Sequence, residues 1–437
     1  MTTIQDIKAR EILASGGLPS LEVDVILDNN VLGTASVSYG LSAGSKEAFV
    51  LLDEDPSTGL GTGKKRYAGN GMLKAVANVN EKIAPLLIGK NAADQRGIDE
   101  TMIKADGTEN KSNFGANAIL GVSMAVARAA AASQNLPLYK YLATCYMIRD
   151  TSFKLPKPMV VMIEGGAHAA NSTDIQEYLV SALRDDWLAK ENIRMEMEVY
   201  HTLKNLLESL GFSINVGNEG AFVPGHIRDN EKPLHFLMEA IKQAGYKPGV
   251  DAALSIDAAA SEFYENGRYT LRREDKVLTS QEIIEKTIGW LKQFPIVAAE
   301  DMLSEFDWEN WPKLLKAADD IIKANSRTLP LKIVGDDLTV TNSKLLQQAI
   351  DKKAINAILI KLNQAGTVTE TMDCCLLAKK HNLTTIPSHR GGGETNDTFL
   401  VDLAVAVGSE WIKVGPTRGE RVCKYNRLMR IEEELSI

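Results

Sequence analysis

Ala252-Ala253-Leu254-Ser255-Ile256-Asp257 and Ile296-Val297-Ala298-Ala299-Glu300 share one pattern: a short, wholly apolar or small run that stops on a carboxylate. A strand that is apolar on both faces belongs inside a parallel sheet covered on each side. The pattern recurs along the chain. Met159–Ile163 is one run, Ile214–Val216 precedes Glu219, and Leu331–Val334 precedes Asp336. Ala357–Ile360 precedes Lys361, Leu383–Ile386 precedes His389, and Trp411-Ile412 precedes Lys413. From Glu219 to Lys413 successive ends lie 24 to 43 residues apart, enough for a crossover helix and a return strand. Eight such runs predict an eight-stranded α/β barrel.

In a barrel of this kind the C-terminal ends of the strands converge on one mouth, where chemistry is done. A single charge at a strand end also reads as a helix cap or a surface ion pair. Repetition at seven ends argues for a site made of Glu219, Asp257, Glu300, Asp336, Lys361, His389, Arg390 and Lys413.

Three carboxylates at one mouth repel each other unless a cation lies between them. An all-oxygen set without clustered Cys or His selects a hard ion, so Asp257, Glu300 and Asp336 are the expected ligands of Mg²⁺. Lys361, with a metal and Lys413 nearby, is the expected general base, because neighbouring positive charge and desolvation lower a lysine pKa. A lysine base beside a divalent metal suits removal of a proton α to a carboxylate. Glu219 is the expected acid for a leaving hydroxyl, which makes the reaction a β-elimination of water. Arg390 and the following Gly391-Gly392-Gly393 offer a planar cation and open backbone amides for a phosphate, although a glycine run also reads as a mobile loop.

The rest of the chain has a different texture. Leu21, Val23, Val25 and Leu27 alternate with Glu22, Asp24 and Asp28 as one half-buried strand, and Thr34–Tyr39 is a second. Helical patterns follow over Leu73–Leu87 and Asn113–Gln134, so strands come first and helices later, as in an α+β domain. Prolines at 137, 156 and 158 interrupt the pattern, and the expected domains are residues 1–137 and 138–437. At 437 residues the chain exceeds the roughly 250–300 that one core usually serves, consistent with two domains.

Hydrophobic residues at 44% and charged residues at 24% describe an ordinary globular chain, and a net charge of −8 argues against nucleic acid as a partner. Cys145, Cys374, Cys375 and Cys423 lack metal-binding spacing and read as reduced thiols. The first residues lack a secretory pattern, and Ala116–Ala132, with Asn117, Gly121 and Arg128, falls short of the roughly 20 strongly apolar residues of a membrane span. The expectation is a cytoplasmic protein with no membrane partner.

With these residues in view, the sequence resembles the enolase family from Ile7-Lys8-Ala9-Arg10-Glu11-Ile12 to Arg430-Ile431-Glu432-Glu433-Glu434-Leu435. The likeness is carried by Asp106-Gly107-Thr108-Glu109-Asn110-Lys111, Gly115-Ala116-Asn117-Ala118-Ile119-Leu120-Gly121-Val122, Asp336-Asp337-Leu338-Thr339-Val340-Thr341-Asn342 and Leu362-Asn363-Gln364. The resemblance implies an N-terminal α+β domain before an enolase-type TIM-like barrel, and reversible dehydration of 2-phosphoglycerate to phosphoenolpyruvate, a glycolytic step. It implies Asp257, Glu300 and Asp336 on a first Mg²⁺, Lys361 as base and Glu219 as acid. Glu177 would assist Glu219, with Gln176 beside it at the substrate, and His168 and His389 would line the pocket. Lys413 would meet the substrate carboxylate, Arg390 the phosphate, and Ser42 a second Mg²⁺ completed with substrate. A homodimer, or a higher oligomer, is also implied, with Arg10 and Glu22 at positions that pair across the interface.

The departures cluster round the substrate, as in a divergent paralogue. Where the family writes Ser-Arg-Gly-Asn-Pro this chain has Ser15-Gly16-Gly17-Leu18-Pro19, and Pro-Ser-Gly-Ala-Ser-Thr-Gly becomes Ser38-Tyr39-Gly40-Leu41-Ser42-Ala43-Gly44. Asn-Gly-Gly-Ser-His becomes Glu164-Gly165-Gly166-Ala167-His168, and Gly-Asp-Glu-Gly-Gly becomes Gly217-Asn218-Glu219-Gly220-Ala221. Gly391-Gly392-Gly393 replaces a serine and adds a residue. Two alternatives follow: action on another phosphorylated or phosphonylated carboxylic acid, and a non-catalytic interaction role. The second is disfavoured by the retention of Lys361 and Glu219.

Overall fold

The computed structural model describes residues 2–40, 44–54, 66–148, 153–169, 171–324 and 329–436. The chain divides into two compact units, Met1–Phe153 with Lys361–Leu376 and His389–Gly408, and Lys154–Ile360 with Leu377–Ser388 and Ser409–Ile437. Helix Leu138–Cys145, expected with the barrel, divides with the first unit because it packs on helix Phe399–Ala406 and buries Tyr139, Tyr141 and Leu142.

The first unit is built on an antiparallel sheet of β1 (Ile4–Leu13), β2 (Pro19–Leu27) and β3 (Leu32–Ser36). The alternation of β2 is realised: Leu21, Val23, Val25 and Leu27 are fully buried. Burying such side chains contributes about 1.5–3 kcal/mol each. The sequence pattern passes over β1 because its burial alternates only over Ile7–Ala9, while Arg10, Glu11 and Ile12 are all half-buried. Arg10 and Glu22 are cross-strand neighbours within this one chain, with Nη1 2.7 Å from Oε1.

Helix α1 (Ala116–Ser133) lies on β2 and β3. It is long and apolar enough to cross a membrane, and 83% of it is buried inside the protein. Its close approach depends on Gly33, where a Cβ would strike the backbone of Ala125 and Ala129.

The second unit is the barrel. Its strands are β4 (Lys157–Glu164), β5 (Glu177–Ala182), β6 (Ala252–Asp257), β7 (Ile296–Glu300), β8 (Lys332–Gly335), β9 (Ala357–Ile360), β10 (Thr384–Pro387) and β11 (Trp411–Val414). They pair in the order β10-β9-β8-β7-β6-β5-β4-β11, and a parallel bridge between Ser388 and Lys413 joins the two end strands. Val161, Leu179, Val297, Val334, Leu359 and Trp411 belong to the core they enclose.

One strand departs from expectation. Ile214–Val216 forms no strand among the described residues; Val216 is 41% exposed and makes only an isolated bridge to Phe222. The second strand is instead β5, antiparallel to both β4 and β6. An antiparallel neighbour needs only a short connection, so β4 and β5 form a hairpin and helices α2 (Ala189–Ser209) and α3 (Lys232–Gln243) follow before β6. Because β5 runs backwards, its first residue, Glu177, lies beside the last residue of β4, Glu164, and of β6, Asp257.

Candidate active site

The barrel mouth is assembled strand by strand. Glu164 ends β4, Glu177 starts β5, Asp257 ends β6, Glu300 ends β7, Asp336 follows β8 and Lys413 lies within β11. Register sets Glu300 beside Asp257 and Asp257 beside Glu177. The Lys413 ammonium draws all three together, with Nζ 2.8 Å from Glu177 Oε2, Asp257 Oδ2 and Glu300 Oε2. Every member of this group is at least 95% buried. Burial alone pulls the lysine pKa down, but Asp257, Glu177 and Glu300 outweigh it and hold the group well above the usual range. Lys413 is therefore a fixed cation in an acidic mouth.

Asp257 and Glu300 thus converge on positive charge and present only oxygen donors, which fits the site to a hard divalent ion. Asp336 is held differently. Asp301, next to Glu300, sits at φ 42 and accepts the Asp336 N–H at Oδ1 (3.0 Å) and the Asp337 N–H at Oδ2 (2.8 Å). The carboxylates of Asp301, Asp336 and Asp337 bring oxygens within 4.8 Å of one another. Sequence reasoning missed Asp301; its signal was a second carboxylate directly after the strand end.

A second cluster lies beside the lysine. His168 Nδ1 is 3.6 Å from Glu177 Oε1 and 3.6 Å from Glu219 Oε1. Burial, and then Glu219, push the Glu177 carboxyl well above its usual range, against the pull of Lys413. Gln176 donates its backbone N–H to the carbonyl of Asp257.

Glu219 is not on a strand end, as expected, but on a turn that closes after Gly217. The turn is pinned from outside by Tyr200 and Thr417, whose hydroxyls each donate to the Gly220 carbonyl at 2.9 Å. It is pinned from beneath by Glu164, whose Oε1 accepts the N–H of Glu219 at 3.1 Å and of Ala221 at 2.9 Å. Burial, then the neighbouring Glu219, push the Glu164 carboxyl up to about 8.

The remaining expected residues belong to the first unit. Lys361 is the residue after β9 and precedes the short helix Leu362–Ala365. His389 and Arg390 are both buried, and Arg390 Nη1 lies 3.1 Å from both carboxylate oxygens of Glu47. Ser42 lies outside the described residues.

Three of the departures noted in the sequence meet here. Gly392-Gly393 pairs antiparallel with Tyr39-Gly40. A Cβ on Gly393 would press into the Tyr39 ring, with Cε1 at 2.5 Å, and one on Gly40 would strike the Arg390 guanidinium. Ser15 Oγ donates to the Gly392 carbonyl and accepts the Glu394 N–H, while Ser38 Oγ donates to Glu394 Oε1 at 2.7 Å. The changed segments fit one another.

Comparison with known families gives two matches. Residues 4–142 match the family described as "Enolase, N-terminal domain", and residues 152–437 match "Enolase, C-terminal TIM barrel domain".

Proposed function

The chain belongs to the enolase family, and from that premise we propose that it is a magnesium-dependent lyase interconverting 2-phosphoglycerate and phosphoenolpyruvate. The observation that carries the reading is the pairing of two buried clusters at one barrel mouth: acids round a fixed cation, and His168 with Glu177 and Glu219.

Asp257, Glu300 and Asp336 would hold the magnesium. When bound, it stabilises the negative charge that accumulates on the substrate carboxylate as the α-proton leaves. Lys361 takes that proton from C2. Glu219 gives a proton to the C3 hydroxyl, the C3–O bond breaks, the C2=C3 bond forms and water departs. Glu177, pushed toward its protonated form, can return a proton to Glu219 by way of His168. Lys413 supplies fixed positive charge for the substrate carboxylate and Arg390 for the phosphate, where Ser42, which lies outside the described residues, would help to hold a second magnesium. The same reading takes the protein as a cytoplasmic homodimer.

A second substrate class is favoured by one observation: Ser15, Ser38, Tyr39 and Gly392-Gly393 form a mutually fitted set that differs from the family pattern. Such a set suits another phosphorylated or phosphonylated carboxylic acid. The two are separated by measuring kcat/KM for 2-phosphoglycerate and for phosphonylated hydroxy acids with the same magnesium-loaded protein. A higher value for 2-phosphoglycerate supports the first reading, and a reversed order replaces it with the second.

A further inference from the structure

Glu164 is fully buried, on the last position of β4, and the chemistry above does not use it. Its Oε1 already accepts two backbone N–H groups, from Glu219 and Ala221. Among the described residues its Oε2 has no hydrogen-bond partner, and it faces Gly217, where a Cβ would collide with it. The glycine at 217 therefore leaves room for the second carboxyl oxygen, and the turn carrying Glu219 is folded over this side chain.

We propose that Glu164 is a positioning residue for the acid step: it clamps the backbone of Glu219 and sets a second ionisable carboxyl against that of Glu219. This rests on the reading of Glu219 as the acid. Two carboxyls in one dry site resist losing both protons, so the pair keeps one proton to a higher pH than a lone glutamate would. The charged and titratable groups facing Glu164 are Glu219 on the turn, Glu177 across the hairpin, His168 beyond it, Tyr200 on α2, and Arg421. The N–H groups of Ala221 and Glu219, and then Arg421, oppose the effect, and burial with the Glu219 carboxyl outweighs them. The proton that the pair retains keeps the acid competent to donate in neutral and mildly alkaline solution.

The test compares the full-length wild type with Glu164→Gln and Glu164→Ala. Glutamine keeps an oxygen for both N–H groups and removes the ionisable group; alanine removes both. In Glu164→Gln the alkaline limb of kcat moves to lower pH by about one unit or more, with kcat on the acid side retained. Glu164→Ala loses kcat across the range with KM little changed, and glutamine rescues it. Profiles that superimpose for wild type and Glu164→Gln overturn the proposal.

Carbon-13 NMR of carboxyl-labelled glutamates gives a reading independent of turnover. The wild type is expected to show a glutamate titrating near pH 8 whose step shifts with that of a neighbouring glutamate, and Glu164→Gln to lose that step. If that coupling is present but 2-phosphoglycerate is not turned over by wild type, the substrate reading falls and the pairing stands. If no glutamate in the wild type titrates above the ordinary range, the pairing is overturned whatever the substrate.

Discussion

Lys413 Nζ lies 2.8 Å from Glu300 Oε2, and both side chains are buried at the barrel mouth. The same ammonium meets Glu177 and Asp257, so one cation offsets three acids. Removing one partner from a buried ion pair costs about 3–5 kcal/mol, because the charge left behind has no compensation. Lys413→Ala is expected to lower the thermal midpoint by several degrees in magnesium-free buffer. Added Mg²⁺ should raise the midpoint of the variant more than that of wild type, since a divalent ion can replace the missing charge. Equal shifts in both proteins would count against Asp257 and Glu300 as ligands.

Glu219 and Lys361 act on different atoms in the proposed reaction, and isotope exchange separates them. In D₂O, Glu219→Gln is expected to keep exchange of the C2 hydrogen of 2-phosphoglycerate while dehydration falls by about 10²–10⁴-fold, the usual range for loss of an acid–base group. Lys361→Ala should lose both. Exchange abolished in Glu219→Gln would reassign the base.

The raised Glu164 carboxyl also predicts a stability profile. Its folded value, about 8, exceeds the ordinary value of 4.5. Between these the folded state holds the proton more tightly than the unfolded chain, so folding stability falls as pH rises through that window. The loss is complete only above the folded value. Thermal midpoints of Glu164→Gln and wild type should therefore diverge in favour of the variant as pH rises from 5 toward 9, a window set by that shift. Parallel curves would contradict the shift.

Gly393 and Tyr39 are predicted to be energetically coupled. A methyl at 393 presses into the Tyr39 ring, and such overpacking costs about 1–3 kcal/mol. Gly393→Ala should destabilise the protein in a tyrosine background and do so much less beside Tyr39→Ala. A double-mutant cycle from urea unfolding measures the difference, and an additive result would show that the two segments are not fitted to each other.

Much of this was legible from the chain because burial on both faces of a strand forces continuous apolar runs, as in β6, β7 and β9. The carboxylates or lysine after them follow from the same registration. Strand β5 was hidden because its apolar run begins, and does not end, with the acid it brings to the barrel mouth, Glu177. The Ile214–Val216 run looked like a strand because Glu219 followed it, but Glu219 is placed by the Glu164 clamp and the Gly220 turn. Arg10 and Glu22 pair across β1 and β2 within one chain, a partner choice that sequence spacing alone cannot separate from contact between copies. Asp301 was overlooked because its part is to accept backbone N–H groups that become neighbours only once β7 and β8 pair.

The most direct test is the ultraviolet absorbance of the enol phosphate formed from 2-phosphoglycerate by wild type and by Lys361→Ala, each with Mg²⁺ and after chelation. The account predicts turnover by wild type that disappears on chelation, returns when Mg²⁺ is restored, and is absent from the variant. Turnover that survives chelation, or that Lys361→Ala retains, would contradict the assignment of a magnesium-dependent lyase with Lys361 as its base.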